Sequence, residues 1–71
     1  MEREFVKSSM VESMGFDSST CTLEIEFKNG HQVWQYFDIP ESVYLELKTS
    51  ESLGKYFYAN IRGHYREARV G

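Results

Sequence analysis

The stretch Thr22-Leu23-Glu24-Ile25-Glu26-Phe27-Lys28, followed at once by Asn29-Gly30, decides the fold. Leu23, Ile25 and Phe27 fall on one side of an extended chain, and Thr22, Glu24, Glu26 and Lys28 on the other. That period of two marks a half-buried strand. Asn-Gly after it signals a tight hairpin, because both turn positions favour positive φ. The turn sets Lys28 opposite His31, which pairs Ile25 with Trp34 and Leu23 with Tyr36. Opposed residues share a face, so Trp34 and Tyr36 join the apolar side, while Val33, Gln35 and Phe37 join the glutamates. The two rings read as core; an exposed platform for stacking bases is the alternative.

Working outward, Met10 to Phe16 reads as a preceding strand ended by Asp17-Ser18-Ser19-Thr20. Val11 and Met14 are both apolar yet have opposite parity, which a bulge near Gly15 would reconcile. Cys21 falls on the apolar side of its strand and reads as a small buried hydrophobe. Beyond the hairpin, Asp38-Ile39-Pro40-Glu41 opens a helix, since proline fits the first turn and acids favour that end of the dipole. Val43, Tyr44 and Leu47 share a face of it. Ser50 or Ser52 caps a second helix, along which Leu53, Phe57, Ile61 and His64 recur at spacings of three and four. The order β-β-β-α-α predicts an α+β domain: a three-stranded antiparallel sheet with two helices packed on one face.

Seventy-one residues make one domain, 1–71, with no repeat or linker. A chain of this size buries only about 60% of its unfolded surface. Five Tyr, five Phe and one Trp supply the compensating bulk. With Cys21 the only cysteine, no disulfide can form, and Cys21 with the distant His31 and His64 cannot make a structural zinc tetrad. A lone thiol and a charged start, Met1-Glu2-Arg3-Glu4, without an apolar leader predict a reducing, cytoplasmic setting. No window approaches a membrane span.

The net charge of −3 hides an asymmetry: residues 1–54 balance to −6 and residues 55–71 to +3. Lys55, Arg62, Arg66 and Arg69 are spaced by seven, four and three. On one continuous helix they gather within about 60° of arc, opposite the Leu53/Phe57 face. Tyr58 lies beside them, so the ridge has the charge and the aromatic neighbour that an RNA backbone and an unstacked base require. A solvated outer face, favoured by the helix dipole, explains the same four cations, and Gly63 is a place where the helix could end.

The chain resembles a KTSC domain through Val6-Lys7-Ser8-Ser9, Met14-Gly15-Phe16-Asp17, Leu23 to Phe27, and Tyr36-Phe37-Asp38-Ile39-Pro40. Ser52-Leu53-Gly54-Lys55-Tyr56-Phe57, Ile61-Arg62 and Tyr65 extend the likeness, which runs from about Phe5 to Val70. The family's tyrosine pair with one residue between is met here as Trp34 and Tyr36. Such modules occur as C-terminal appendages of some bacterial lysyl-tRNA synthetases and as free-standing bacterial and phage proteins. The resemblance thereby implies an association with RNA.

Ser8 and Ser9 lack a base and an orienting acid nearby in sequence, so turn bonds account for them better than nucleophilic catalysis. The sequence therefore predicts a non-catalytic binding module without cofactor or metal. Its expected partner is RNA, or an RNA-associated protein, met through Lys55, Tyr58, Arg62, Arg66 and Arg69 on a basic C-terminal helix. The rival expectation is a protein-interaction or self-associating adaptor using aromatic and acidic surface, with a homo-oligomer open.

Overall fold

The central hairpin forms in the register that its turn implies. In the computed structural model, which describes Met1–Gly71, Ile25 pairs with Trp34 and Leu23 with Tyr36. The turn itself differs from expectation: the left-handed residues are Gly30 and His31 (φ 76° and 52°), not Asn29. Register survives because the Phe27 N–H still donates to the Gln32 carbonyl at 2.9 Å across the loop.

Five strands form the antiparallel sheet, not three. They are β1 (Glu4–Phe5), β2 (Val11–Asp17), β3 (Thr22–Phe27), β4 (Val33–Tyr36) and β5 (Glu67–Arg69). Their spatial order is their chain order. Helices α1 (Glu41–Thr49) and α2 (Leu53–Asn60) interrupt the chain between β4 and β5. The extra strands lie at the two edges and are two and three residues long, too short to show a period.

The fate of the C-terminal segment is the main correction. The second helix stops at Asn60, so Arg62, Arg66 and Arg69 do not lie on it. The Ile61 and Arg62 N–H groups both close onto the Phe57 carbonyl at 3.0 and 2.9 Å. Gly63 then takes φ 81°, a left-handed conformation that an L side chain resists, and turns the chain back to the sheet. His64 is exposed in that turn rather than on the apolar stripe. Cys21 is likewise corrected: it occupies the β2–β3 turn at φ 54° and is partly exposed, because β3 begins only at Thr22.

The β2 irregularity exists, but at Glu12 rather than Gly15: Val11 pairs with Phe27 and Ser13 with Glu26. The extra residue puts Val11 and Met14 on the same side, and both are buried. Gly15 has a different task. A Cβ there would stand 2.1 Å from the Glu2 carbonyl oxygen, because the N-terminal chain crosses directly over it.

Both helices cover the face that carries Met14, Leu23, Ile25 and Tyr36, meeting it with Leu47, Leu53, Phe57 and Ile61. Each such side chain removed from water is worth roughly 1.5–3 kcal/mol. Phe57 is the hub, edge-on to Tyr36 at 5.3 Å and to Phe27 at 5.5 Å. Pro40 precedes the first turn of α1, and its carbonyl accepts from Val43 and Tyr44. Ser52 caps α2 by accepting from the Lys55 N–H at 3.3 Å. No helix is long and apolar enough to cross a membrane.

The opposite sheet face is closed by polar groups. Arg3 reaches from the N-terminal segment over Gly15 to the Glu24 carboxylate and, at 3.0 Å, to Ser13 Oγ. Gln35 donates to Glu24 at 2.8 Å, which leaves that acid only 7% exposed. Burial alone would raise the Glu24 carboxyl, but the bonds from Gln35 and Arg3 outweigh it and hold the group below the usual carboxylate range.

Candidate nucleic-acid interface

Where α2 ends against the β3–β4 hairpin, the helical layer does not reach the rim of the sheet. A cleft of about 400 Å³ opens there, within the size range of small ligand sites. Its floor is the sheet face carrying Phe27, Trp34 and Tyr36; its other wall is Phe57 and Tyr58 of α2 with Arg62 from the turn that follows. Polar groups stand at its margin: Asn29 and Gln32 from the hairpin, Glu67 from β5.

Each wall is held in place. The Trp34 indole N–H donates to Gln32 Oε1 at 3.0 Å, which fixes the ring on the partly open part of the sheet. Tyr58 packs edge-on against Phe57 at 5.6 Å yet is 55% exposed. The Arg62 guanidinium lies over the Tyr58 ring at 5.2 Å, a cation–π contact. Tyr36 is only 3% exposed. Burial first, and the nearby Glu67 carboxylate second, push its phenol upward, so it stays a protonated donor at any physiological pH.

The sequence-predicted cations are therefore distributed, not aligned. Arg62 and Tyr58 meet at the cleft. Lys55 is exposed on the first turn of α2. Arg69 stands on β5 opposite Trp34, its Nε bonded to the Gly71 carbonyl at 2.9 Å. Arg66 is set apart, paired with Asp38 at 3.2 Å and lying over the Phe37 ring at 5.4 Å. Both members of that pair are highly exposed, so it contributes little. The ion pairs of the chain leave Lys55, Arg62 and Arg69 without a carboxylate partner.

The fold also settles Trp34 and Tyr36 separately: Tyr36 is core, whereas Trp34 is half-buried and faces the cleft. Glu67 and Gln32 were invisible as site residues, since neither belongs to a motif and β5 had to be found before Glu67 could be placed opposite Tyr36. Ser8 Oγ accepts from the Met10 and Val11 N–H groups, both at 3.1 Å, which is a backbone-capping role. No group of three or more His, Cys, Asp or Glu side chains is placed to hold a metal. A larger hollow of about 700 Å³ lies under the N-terminal segment. Glu2, Glu4 and Asp17 line it with Arg3 as the single cationic side chain, a balance of side chains that disfavours phosphate.

The family model described as the KTSC domain matches residues 7–65. A lysine–tRNA ligase of Trichormus variabilis is 35% identical over 60 residues, which are 84% of this chain and 10% of that protein. The chain thus spans about a tenth of the length of such ligase relatives. An uncharacterized protein of Stutzerimonas stutzeri is 34% identical over 71 residues, 99% of each chain. Among solved structures, a KTSC domain protein from Yersinia pestis superposes with a TM-score of 0.94 at 30% identity, covering 99% of this chain and 97% of its own.

Proposed function

The chain belongs to the KTSC domain family, and from that premise we propose that it is a non-catalytic, RNA-binding accessory module of the cytoplasm. The observation that carries the reading is Arg62: an uncommitted guanidinium lying on a half-exposed tyrosine at the mouth of an aromatic cleft. Cations neutralise phosphate and aromatic faces hold unstacked bases, the pairing on which single-stranded RNA recognition rests. Lys55, Arg62 and Arg69 provide the phosphate contacts, Tyr58 the ring, and Arg66 a weaker contact that must first leave Asp38. Ligase relatives that carry this module act on a transfer RNA, which supports the choice of nucleic acid.

A rival reading, an adaptor docking on protein or on itself, draws on the exposed Phe5 and Leu45. Those side chains stand on β1 and α1 and line neither cavity of the domain, so it ranks second.

The test is binding of labelled mixed-sequence single-stranded RNA followed by fluorescence anisotropy. Three phosphate contacts give a log–log salt slope of about −2, so affinity falls about 20-fold between 50 and 200 mM salt. Arg62→Glu should abolish binding while circular dichroism stays unchanged. Absence of any anisotropy change at 50 mM salt refutes the reading; a dimer in sedimentation at the same concentration would favour the rival.

A further inference from the structure

Tyr36 presents an unusual combination. Its ring is almost wholly buried, yet its hydroxyl has no partner within the chain and its oxygen is not sealed in. It lines the cleft beside Arg62 and Glu67, and Glu67 is its direct cross-strand neighbour. The ring is buried but the hydroxyl is open to the cleft, so water satisfies it there and a ligand entering the cleft meets it as a free donor and acceptor.

The surrounding groups narrow the occupant. Gln32 already accepts from Trp34 through Oε1, which leaves its amide hydrogens to donate outward. Glu67 can only accept. The walls between them are rings. A plain aromatic or aliphatic side chain would leave Tyr36, Gln32 and Glu67 facing apolar surface, which is costly. An alkylammonium, the usual guest of an aromatic cage, meets Arg62 already lying on Tyr58. A nucleobase satisfies every element: a flat face for the rings, an edge with donors and acceptors, and a phosphate for Arg62. Glu67 sorts among the bases. An exocyclic amino group donates to it, whereas the N3–H of uracil is flanked by two carbonyl oxygens that repel a carboxylate.

We infer that the cleft between the β3–β4 hairpin and the end of α2 holds one unstacked, amino-bearing nucleobase of single-stranded RNA, with Tyr36 and Glu67 on its edge and Arg62 on its phosphate. This rests on the RNA-binding reading above and sharpens it, because a purely phosphate-directed surface has no base preference.

The experiment uses the full chain labelled with ¹⁵N, titrated with octamers of A, C and U and with the mononucleotides GMP and IMP, which differ by one amino group. The Trp34 indole N–H is the reporter. The A and C octamers should bind about tenfold more tightly than the U octamer, GMP more tightly than IMP, and all should move the Trp34 signal. Glu67→Gln should erase the preference, and Tyr36→Phe should weaken every base by roughly tenfold while preserving the ring and the fold. If the U octamer binds as tightly as the others, or if the Trp34 signal does not move, the cleft assignment falls while the RNA reading stands. If no octamer binds at 50 mM salt, both fall together.

Discussion

Replacing Gly15 by alanine isolates the crossing of the N-terminal segment over the sheet. The backbone at Gly15 is not left-handed, so alanine can adopt its conformation; the obstacle is steric. The new methyl would stand 2.1 Å from the Glu2 carbonyl oxygen and 3.3 Å from the Arg3 Cα, both main chain. Backbone atoms cannot rotate aside, so Glu2 and Arg3 must lift. Lifting withdraws Arg3 from Glu24 and Ser13 and loosens the β1–β2 pairing. Bonds to charged groups are worth about 1.5–3 kcal/mol, and freeing the segment returns about 1–2 kcal/mol of entropy per residue. Gln35 still donates to Glu24, which limits the damage. The net is a destabilisation of about 2 kcal/mol, inside the overpacking range. For a domain of this size the melting temperature should fall by roughly 8–16 °C. The decisive comparison is the same substitution in a chain lacking residues 1–3. There alanine has nothing to strike, and it should be neutral or stabilising by about 0.4–1 kcal/mol through the unfolded chain. Equal losses in both backgrounds would refute the steric argument.

Other consequences can be measured on the same protein. Because Glu24 holds its proton less readily in the fold than in the unfolded chain, its stabilisation is complete above the unfolded value of about 4.3 and disappears as pH falls through the lower folded value; Arg3→Ala should flatten that acid limb in urea titrations at pH 2 to 6. Phe57→Leu removes the ring that Tyr36, Phe27 and Tyr58 all meet edge-on, and should cost about 2–3 kcal/mol, read as a drop in the urea midpoint. The Tyr56 phenol is pushed up to about 12 by burial and by its 2.7 Å bond to Glu46; with the Tyr36 phenol raised further still, Tyr56→Phe should delete one of the two late-titrating phenols in an alkaline ultraviolet titration. Since the protonated phenol is the folded partner, its contribution is present below pH about 10 and lost as pH climbs towards the folded value.

The parts of this fold that local chemistry dictates could be read directly. Alternation from Thr22 to Lys28 and the Asn29-Gly30 turn gave every pair of the β3–β4 ladder, although the turn reached that register with a different left-handed pair. Pro40 marked the first helix start, and Ser52, one of two candidate serines, is the cap of the second. What escaped depends on contacts far along the chain. Arg62, Arg66 and Arg69 have helical spacing by coincidence, and only Gly63 signalled that the chain turns there. The N-terminal strand has no pattern of its own and exists because Gly15 leaves room for it. Of the residues proposed to bind, Tyr58 and Arg62 were legible as a charged ring-bearing helix end. The half-open Trp34 was legible only as the lesser alternative to a core ring, and Gln32 belongs to no motif; Glu67 was not legible, since it meets Tyr36 only when strands 31 positions apart come together.

Those separations impose an order of assembly. Asp17 meets Thr22, and Glu26 meets Val33, over short loops, whose closure is fast and entropically light. Tyr36 meets Glu67 only after both helices have been threaded back over the sheet. The final strand is thus the last to zip, and the Val33–Gly71 bonds at 3.2 and 3.1 Å fasten it. A partly frayed copy would have its hydrophobic seam in place before it has a mouth, so the binding proposed for the cleft would report on finished folding.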